Sequence, residues 1–196
     1  PMVIKWPGGA VGKVDDQFHY NLDWAPTCME MLNAKQPIPE LWDGQSYAPT
    51  VRSGNGPGRE ELIISQCCHV CQRGVRFDKW MYIRTYCDGF HPFVDEMLFD
   101  IEADPFEQNN VADQYPEIVR DAAYRLTNWH DAQMQKMAIH CSDSVDPLWT
   151  VMREGGPNHA TFEPGRSPLP KYLERLGATG RAAGAAELRL KYPDLA

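Results

Sequence analysis

The residues best suited to chemistry are the run Cys-Cys-His-Val-Cys at positions 67–71. Thiolates and imidazoles are common zinc ligands, and a Cys-x-x-Cys pair is also the core of thioredoxin-type redox sites. A structural zinc site takes four ligands, usually from two spaced pairs, and the sequence contains no second Cys-x-x-Cys and no His-x-x-x-His. A redox pair is activated at the start of a helix, whereas this run lies among predicted strands. We therefore predict structural cysteines here, with a metal or redox role as the open alternative.

The acidic residues offer a second possible chemistry, which is calcium binding. Asp100, Asp104 and Glu107 lie close together in the sequence, and carboxylate oxygens are calcium ligands. The spacing of an EF-hand loop is absent, and Asp104 or Asn110 is well placed to cap a turn or a helix start. The sequence therefore predicts a structural acidic turn here and not a metal site.

The composition is that of an ordinary globular protein. Of the 196 residues, 43% are hydrophobic and 23% are charged, which is enough to bury a core. The formal net charge is −8, and an acidic surface repels phosphate backbones, so we expect no nucleic-acid partner. No apolar run approaches the length needed to cross a bilayer. The six cysteines permit disulfides but do not require them.

A glycine-rich segment at 53–58 is the candidate domain boundary. Before it, residues 1–7 are predicted to form a short apolar strand. A helix is predicted to begin after Asp23, whose carboxylate would cap the free amides of the first turn. The side chains expected on the buried face of that helix are Trp24, Cys28, Met31 and Leu32.

Beyond the boundary, the pattern changes to short strands followed by helices. The predicted elements are strands at 61–65, 72–77, 79–86 and 97–99, a long amphipathic helix at 115–139, a short element at 146–157 and terminal helices at 169–176 and 178–190. A tight hairpin is expected at 77–79. The period of two that follows it places Trp80 and Tyr82 on one face of the sheet, and Met81 and Ile83 on the other.

Several short motifs occur in the order found at the C-terminal end of the sulfatases. At 96–112 a strand ends in Asp-Pro-Phe-Glu and is followed by Asn-Asn-Val-Ala, which resembles the family pattern of Asp-Pro-x-Glu and then Asn-Leu-Ala. The other motifs are Pro-Met-Val-Ile-Lys-Trp-Pro-Gly at 1–8, Asp-Trp-Ala-Pro-Thr at 23–27, Asp-Gly-Gln-Ser at 43–46, and Val-Arg followed by Lys-Trp-Met-Tyr-Ile at 75–83. The tail from 146 to 192 resembles an extension of arylsulfatase-like and sulfamidase-like members.

This resemblance implies an α/β fold and a chain that is the C-terminal portion of a longer protein. Residues 1–52 would be the end of the large domain of an alkaline-phosphatase-like α/β fold. Residues 59–140 would be a small domain, in which a four-stranded antiparallel sheet packs on a long helix. Residues 141–196 would form a helical C-terminal extension.

The resemblance also implies that the parent protein hydrolyses sulfate esters or sulfamates. In this family a formylglycine, made from Cys or Ser within Cys/Ser-x-Pro-x-Arg, attacks sulfur beside a calcium ion held by Asp-Asp and Asp-Asn pairs. No Cys or Ser here lies in that motif, no Asp-Asn dipeptide occurs, and the single Asp-Asp pair at 15–16 is predicted to be a surface loop. We therefore predict no catalytic residue and no metal ligand in this chain. The fragment is expected to be inactive without its partner, the missing N-terminal domain.

One substrate contact is predicted from the same resemblance. In the sulfatase fold, the turn after the first C-terminal strand can approach the rim of the active-site cleft. This makes His69 a candidate for binding a sulfated small molecule or glycan, since an imidazole can bond sugar hydroxyls or pair with sulfate. Gln72, Arg73 and His91 are further polar candidates. The alternative is a His69 that is bonded within its own loop.

Two other functions stay open. A phosphonate or phosphate monoester hydrolase of the same superfamily would share the C-terminal pattern. A non-catalytic interaction module would instead be complete by itself and would bury the apolar face of residues 1–33, whereas a fragment would expose it.

Overall fold

The structure is a computed structural model, and it describes residues 2–140, 145–157, 161–163 and 165–196. The helices are α1 (Trp24–Met31), α2 (Ala48–Ser53), α3 (Pro116–His140), α4 (Pro147–Arg153), α5 (Leu169–Ala178) and α6 (Ala182–Lys191). The strands are β1 (Glu61–Gln66), β2 (Cys71–Phe77), β3 (Trp80–Cys87) and β4 (Glu96–Asp100). None of the helices in the described ranges is long and apolar enough to cross a membrane.

The chain forms two compact units, Pro1–Leu62 and Ile63–Ala196. The second unit holds both the sheet and the helices that follow it. The finer predicted division into domains at 1–52, 59–140 and 141–196 stays a prediction.

The first unit has little regular structure besides α1 and α2. Residues 2–7 form no strand, so the strand predicted at 1–7 is absent from its described part, and Val3 is 95% exposed. An extended segment stays a strand only when a neighbouring strand takes up its backbone hydrogen bonds. Residues 2–7 have no such neighbour in the described part of this unit, so an apolar sequence alone does not make them a strand.

The buried face predicted for α1 is confirmed at Met31 and is wrong at Trp24 and Leu32. Its buried residues are Pro26, Thr27 and Met31, whereas Trp24 and the following Leu32 are 46% and 68% exposed. The reason is a polar contact that the apolar spacing does not reveal. The Thr27 hydroxyl lies inside the unit, where it accepts a hydrogen bond from the amide of Tyr47 at 3.0 Å.

The predicted four-stranded antiparallel sheet is confirmed, with the order β1-β2-β3-β4. β2 and β3 pair antiparallel from Cys71↔Cys87 to Phe77↔Trp80. The two-residue turn between them contains Asp78 at φ 43°, a left-handed conformation that Asp tolerates well. β3 and β4 continue the sheet in antiparallel register.

The long helix α3 packs across one face of the sheet, as predicted. The core between them consists of Val75, Phe77, Trp80, Tyr82 and Leu98 from the sheet with Ala122 and Leu126 from α3. A second cluster on the other face contains Met81, Met97 and Phe99. The alternation predicted along β3 is therefore confirmed, because successive strand side chains point to opposite faces.

The terminal helices α5 and α6 pack on each other and on the loop that follows β3. Their buried side chains surround Phe90 and are Leu169, Leu173, Leu176, Ala185 and Leu188. The helical tail therefore has a hydrophobic core of its own, separate from the two clusters on the sheet.

Candidate functional site

The turn between β1 and β2 carries the residue singled out for substrate binding. His69 and its neighbour Cys68 are exposed, whereas Val70 is buried at 3% exposure. Burial of Val70 anchors the turn at one point and leaves the imidazole on the surface. An imidazole in this position can donate or accept a hydrogen bond, or carry a positive charge, towards a ligand.

The neighbouring candidate Gln72 is committed to the sheet. It is 6% exposed, accepts a hydrogen bond from the Gln66 side chain at 3.0 Å and donates one to Thr85 Oγ1 at 3.0 Å. Both ends of its amide are therefore in use. Gln72 is therefore buried, whereas His69, three residues earlier, is exposed.

Arg73 is also turned inward, and it forms a buried ion pair with Asp146. Its guanidinium binds the Asp146 carboxylate in a bidentate arrangement, with Nη1 at 2.8 Å from Oδ2. Its Nε donates to Ser65 Oγ at 3.1 Å, and the Trp129 ring centre lies 5.3 Å from its Cζ. Such planar pairing fixes geometry as well as charge. Arg73 therefore fastens α4 to the sheet.

Asp146 also begins α4, because its side chain accepts a hydrogen bond from the amide of Leu148 at 3.0 Å. Burial alone would raise the pKa of this carboxyl, but hydrogen bonds and charge from Arg73 outweigh it and hold the pKa below its usual range. His130 Nε2 lies 3.3 Å from Asp146 Oδ2. The carboxylate is therefore ionised and already paired on two sides.

A cavity of about 460 Å³ lies beside this ion pair. The apolar side chains in its wall include Leu126, Met134, Leu148, Trp149 and Met152. The polar side chains in its wall include Arg84, Tyr86 and His130. This size is typical of small-molecule pockets, and the mostly apolar wall suits an apolar group. The sequence did not predict this cavity, because Arg73 and Asp146, which lie beside it, are 73 residues apart. The only local signal at Asp146 is the Asp-Pro pair that starts α4.

His91 lies in the loop after β3 and is held there locally. Its Nδ1 lies 2.9 Å from the carbonyl oxygen of Asp88, and its ring stacks on Phe93 at 5.7 Å. Asp88 itself is a buried polar centre that the sequence did not indicate. Its side chain is 1% exposed and pairs with Lys191 Nζ at 2.6 Å.

The buried Asp88 joins the tail to the sheet. It accepts hydrogen bonds from the amide of Phe90, at 3.0 Å, and from the hydroxyl of Tyr192. Burial, together with the adjacent carboxylate, raises the pKa of Tyr192, so this hydroxyl keeps its proton and stays a donor. The end of α6 is thus fixed by a charged group and not only by apolar packing.

In the first unit, the motifs at 23–27 and 43–46 meet at the carboxylate of Asp23. Asp23 does precede α1, but its side chain makes no cap hydrogen bond, so the predicted capping role is wrong. The carboxylate accepts instead from the amides of Tyr20 and Gln45, each at 2.8 Å. Arg59 completes the arrangement by donating Nε at 2.9 Å, together with a contact from Nη2.

The motif at 43–46 is required by the same arrangement. A Cβ on Gly44 would lie 2.2 Å from the carbonyl oxygen of Leu22, so no other residue fits without moving the backbone. Burial alone would raise the pKa of Asp23, but Arg59 and the two amides outweigh it and hold the pKa below its usual range. The role of this carboxylate is structural, since both of its oxygens accept hydrogen bonds from groups of the first unit.

The acidic turn after β4 has the predicted structural role. Asp104 accepts from the amide of Asn109 at 2.7 Å, and Asn110 Oδ1 accepts from the amide of Leu98 at 2.9 Å. Asp100 pairs with Lys79 Nζ at 2.7 Å. Within the described residues, no group of three or more His, Cys, Asp or Glu side chains could hold a metal ion.

The described cysteines of the 67–71 run are free thiols, as are Cys28 and Cys87, while Cys141 lies outside the described residues. Cys71 is fully buried and opens β2. The run does not open a helix, as the strand pattern predicted.

The sequence belongs to a recognisable protein family. The family model that describes the C-terminal region of N-sulphoglucosamine sulphohydrolase matches residues 1–132. The chain belongs to this family. The resemblance to the C-terminal end of the sulfatases is therefore confirmed, and the motifs that carry it are those that meet at Asp23 and in the sheet.

Relatives of this sulfatase-family chain include three curated enzymes. It is 29% identical to choline-sulfatase of Rhizobium meliloti over 207 residues, covering 98% of this chain and 37% of the relative. N-acetylgalactosamine-6-O-sulfatase of Bacteroides thetaiotaomicron is 26% identical over 137 residues, covering 64% of this chain and 26% of that enzyme. The multifunctional alkaline phosphatase superfamily protein PehA of Trinickia caryophylli is 23% identical over 174 residues, covering 76% of this chain and 32% of that protein. The chain thus spans between a quarter and two-fifths of the length of these relatives.

Proposed function

We propose that this chain is the C-terminal portion of a sulfuric ester hydrolase. The observation that carries the proposal is the family match over residues 1–132. The relatives named choline-sulfatase and N-acetylgalactosamine-6-O-sulfatase support a sulfate ester as the substrate, either of a small alcohol or of a sugar. Sulfate esters are the class common to both names.

The first unit is proposed to dock on the large catalytic domain of the parent protein. Its apolar side chains are exposed to an extent that is unusual for a free surface, with Val3 at 95%, Leu32 at 68% and Met2 at 56%. Trp24 and Trp42 add aromatic area at 46% and 43%. The proposed occupant of this surface is a catalytic domain N-terminal to this chain, and the backbone of residues 2–7 would gain a strand partner there.

The chain alone is proposed to be inactive. Its sequence has no Cys or Ser in the formylglycine motif. Its described residues also lack a cluster that fits a calcium ion. Formylglycine and calcium would therefore be held by the rest of the parent protein, and no catalytic step is assigned to a residue of this chain.

His69 is proposed to contact the substrate at the rim of the cleft. The support is its exposed position on a turn whose ends are fixed by β1 and β2. A rim contact of this kind would add binding free energy to one substrate and little to chemistry. It would therefore change KM more than kcat.

The experiment uses the parent protein that carries this chain. Release of inorganic sulfate is measured from choline sulfate, from N-acetylgalactosamine 6-sulfate and from an aryl sulfate. The proposal expects release from at least one of these esters, and none from the isolated chain. Failure of the intact protein on all three esters would contradict a sulfatase function.

The proposed contact is tested separately with His69→Ala and a matched control in the same turn. Cys68→Ala removes the exposed neighbouring side chain and is expected to leave kcat/KM unchanged. His69→Ala is expected to raise KM by about tenfold, which corresponds to a lost hydrogen bond to a charged group of about 1.4 kcal/mol. Equal values for the two variants would place His69 away from the substrate.

A second candidate is a phosphate or phosphonate monoester hydrolase. It is favoured by one observation, the similarity to a multifunctional alkaline phosphatase superfamily protein. Release of phosphate in place of sulfate by the parent protein would establish it. The non-catalytic module predicted a buried apolar face on residues 1–33, and the exposed Val3, Trp24 and Leu32 count against it.

A further inference from the structure

Two cysteines face each other across the sheet at the open end of the β2–β3 hairpin. Cys71 and Cys87 are partners in the antiparallel register, at the end of the ladder where the register shifts between Cys71 and Gln72. Directly opposed residues of antiparallel strands have Cα atoms about 4.5–5.5 Å apart. That separation lies within the range of about 4.4–6.8 Å found for disulfides. The pairing of the two strands therefore brings the two residues into the range in which a disulfide can form.

The two thiols also lie near each other, and each contributes to the pKa of the other. Cys71 is fully buried, whereas Cys87 is partly exposed and can be reached from solvent. One partner is therefore accessible to a reagent, and the other is sheltered directly behind it.

We propose that Cys71 and Cys87 form a reversible cross-strand disulfide, with a low-molecular-weight disulfide of the glutathione class as the oxidant. This goes beyond the proposed hydrolase function and does not depend on it. The bond would close at the base of the turn that carries His69 and would join the start of β2 to the end of β3.

The reaction is a two-step thiol–disulfide exchange. The Cys87 thiolate attacks one sulfur of the oxidant, forming a mixed disulfide and releasing one reduced thiol. The Cys71 thiolate then attacks the Cys87 sulfur, forming the protein disulfide and releasing the second thiol. The two protein thiols lose two electrons and two protons, and the oxidant disulfide is reduced to two thiols.

The surroundings predict how the rate depends on pH. Burial raises the pKa of Cys71 to about 11 and also raises the pKa of Cys87. Since the thiolate is the attacking species, cross-linking is expected to be slow at pH 7 and to accelerate by about tenfold for each pH unit, a rise that continues beyond pH 9 because both pKa values lie above the ordinary 9.0.

The test is peptide mapping of the parent protein after incubation with oxidised glutathione. Trypsin cuts after Arg59, Arg73, Arg84 and Arg120, so Cys87 is the single cysteine of peptide 85–120. Cys71 lies in peptide 60–73 together with Cys67 and Cys68. The expected product is peptide 60–73 joined to peptide 85–120, lighter than their sum by two hydrogen atoms and split again by dithiothreitol.

Variants identify the cysteine within peptide 60–73. Cys67→Ser is expected to retain the cross-link, and Cys71→Ser to lose it. Because Cys71→Ser places a hydroxyl at a fully buried position and tests folding as well, Cys87→Ser provides the same loss at a partly exposed position. Closing this hairpin is also expected to raise the Tm of the oxidised protein by about 5 °C, an effect absent from Cys87→Ser.

Two results would overturn the proposal. One is a Cys87 that stays a free thiol, or stops at the mixed disulfide with glutathione, while Cys68 reacts. The other is a cross-link to peptide 85–120 that survives in Cys71→Ser and disappears in Cys67→Ser.

Discussion

Substituting Arg59 by Gln removes the charged partner of the most deeply buried carboxylate of the first unit. Asp23 is 1% exposed, and Arg59 is 18% exposed. Without the guanidinium, the carboxylate keeps only the amides of Tyr20 and Gln45 as donors. A buried charge whose partner has been removed is strongly destabilising, because it has lost both water and its counter-ion.

The size of the effect follows from comparison with an exposed pair of the same type. Arg52 pairs with Glu30 at 2.6 Å, but these side chains are 47% and 38% exposed. Arg59→Gln is expected to lower the free energy of unfolding by about 3 kcal/mol. Arg52→Gln is expected to lower it by less than about 1 kcal/mol, because water replaces the lost partner.

The assay is urea unfolding followed by tryptophan fluorescence, with the midpoint and the slope fitted for each variant. The pH dependence gives an independent check. The folded-state pKa of Asp23 lies below its ordinary value of 3.8, so the stability from this pair is present above that pH and is lost as the pH falls through the folded pKa. The difference in the free energy of unfolding between the natural protein and Arg59→Gln should therefore become smaller below about pH 4. Equal losses for the two variants at pH 7 would refute the role assigned to burial.

The remaining predictions concern three other positions. Asp146→Asn should lower the free energy of unfolding by about 3 kcal/mol at pH 7. This loss should become smaller below about pH 4, where Asp146 of the natural protein takes up a proton, and urea unfolding from pH 7 to pH 3 measures both effects. Tyr192→Phe should cost about 2 kcal/mol and should increase proteolysis of the tail, because a hydrogen bond to a buried carboxylate is lost. Gly44→Ala should cost about 3 kcal/mol by thermal unfolding, whereas Gly177→Ala, at a helical position with open space, should be neutral or stabilising by up to about 1 kcal/mol. A Gly44→Ala variant as stable as Gly177→Ala would contradict the close approach at Leu22.

Local periodicity predicted the second unit well. The alternation along β3 and the apolar stripe of α3 both report burial within a single element, so the sequence is enough to place them. The Asp78 turn follows for the same reason, because its residues adopt the required backbone conformation by themselves.

Features that depend on distant partners could not be predicted in this way. The orientation of α1 depends on Asp23, whose partner Arg59 lies 36 residues away. The ion pair of Arg73 spans 73 residues, and the contact from Tyr192 to Asp88 spans 104. An isolated charged residue carries no sign of its partner, so these centres appear only in the folded structure.

For the candidate site, the sequence pointed to the turn that carries His69, but it did not predict that Gln72 and Arg73 are buried. Gln72 and Arg73 look like surface polar residues, yet β2 turns both of them into contacts of the protein itself. The family resemblance came from short motifs, and the structure explains two of their residues. A side chain at Gly44 would collide with the backbone of Leu22. A residue without a carboxylate at position 23 would lose the hydrogen bond from the amide of Gln45.

The most direct test of the central claim is the ratio of sulfate to phosphate release by the parent protein. An aryl sulfate and the matching aryl phosphate are supplied at equal concentration, and both inorganic products are quantified, with the isolated chain as the control. A sulfatase predicts faster release of sulfate by the parent protein and no release of either product by the chain alone. Faster release of phosphate, or hydrolysis by the isolated chain, would contradict the account.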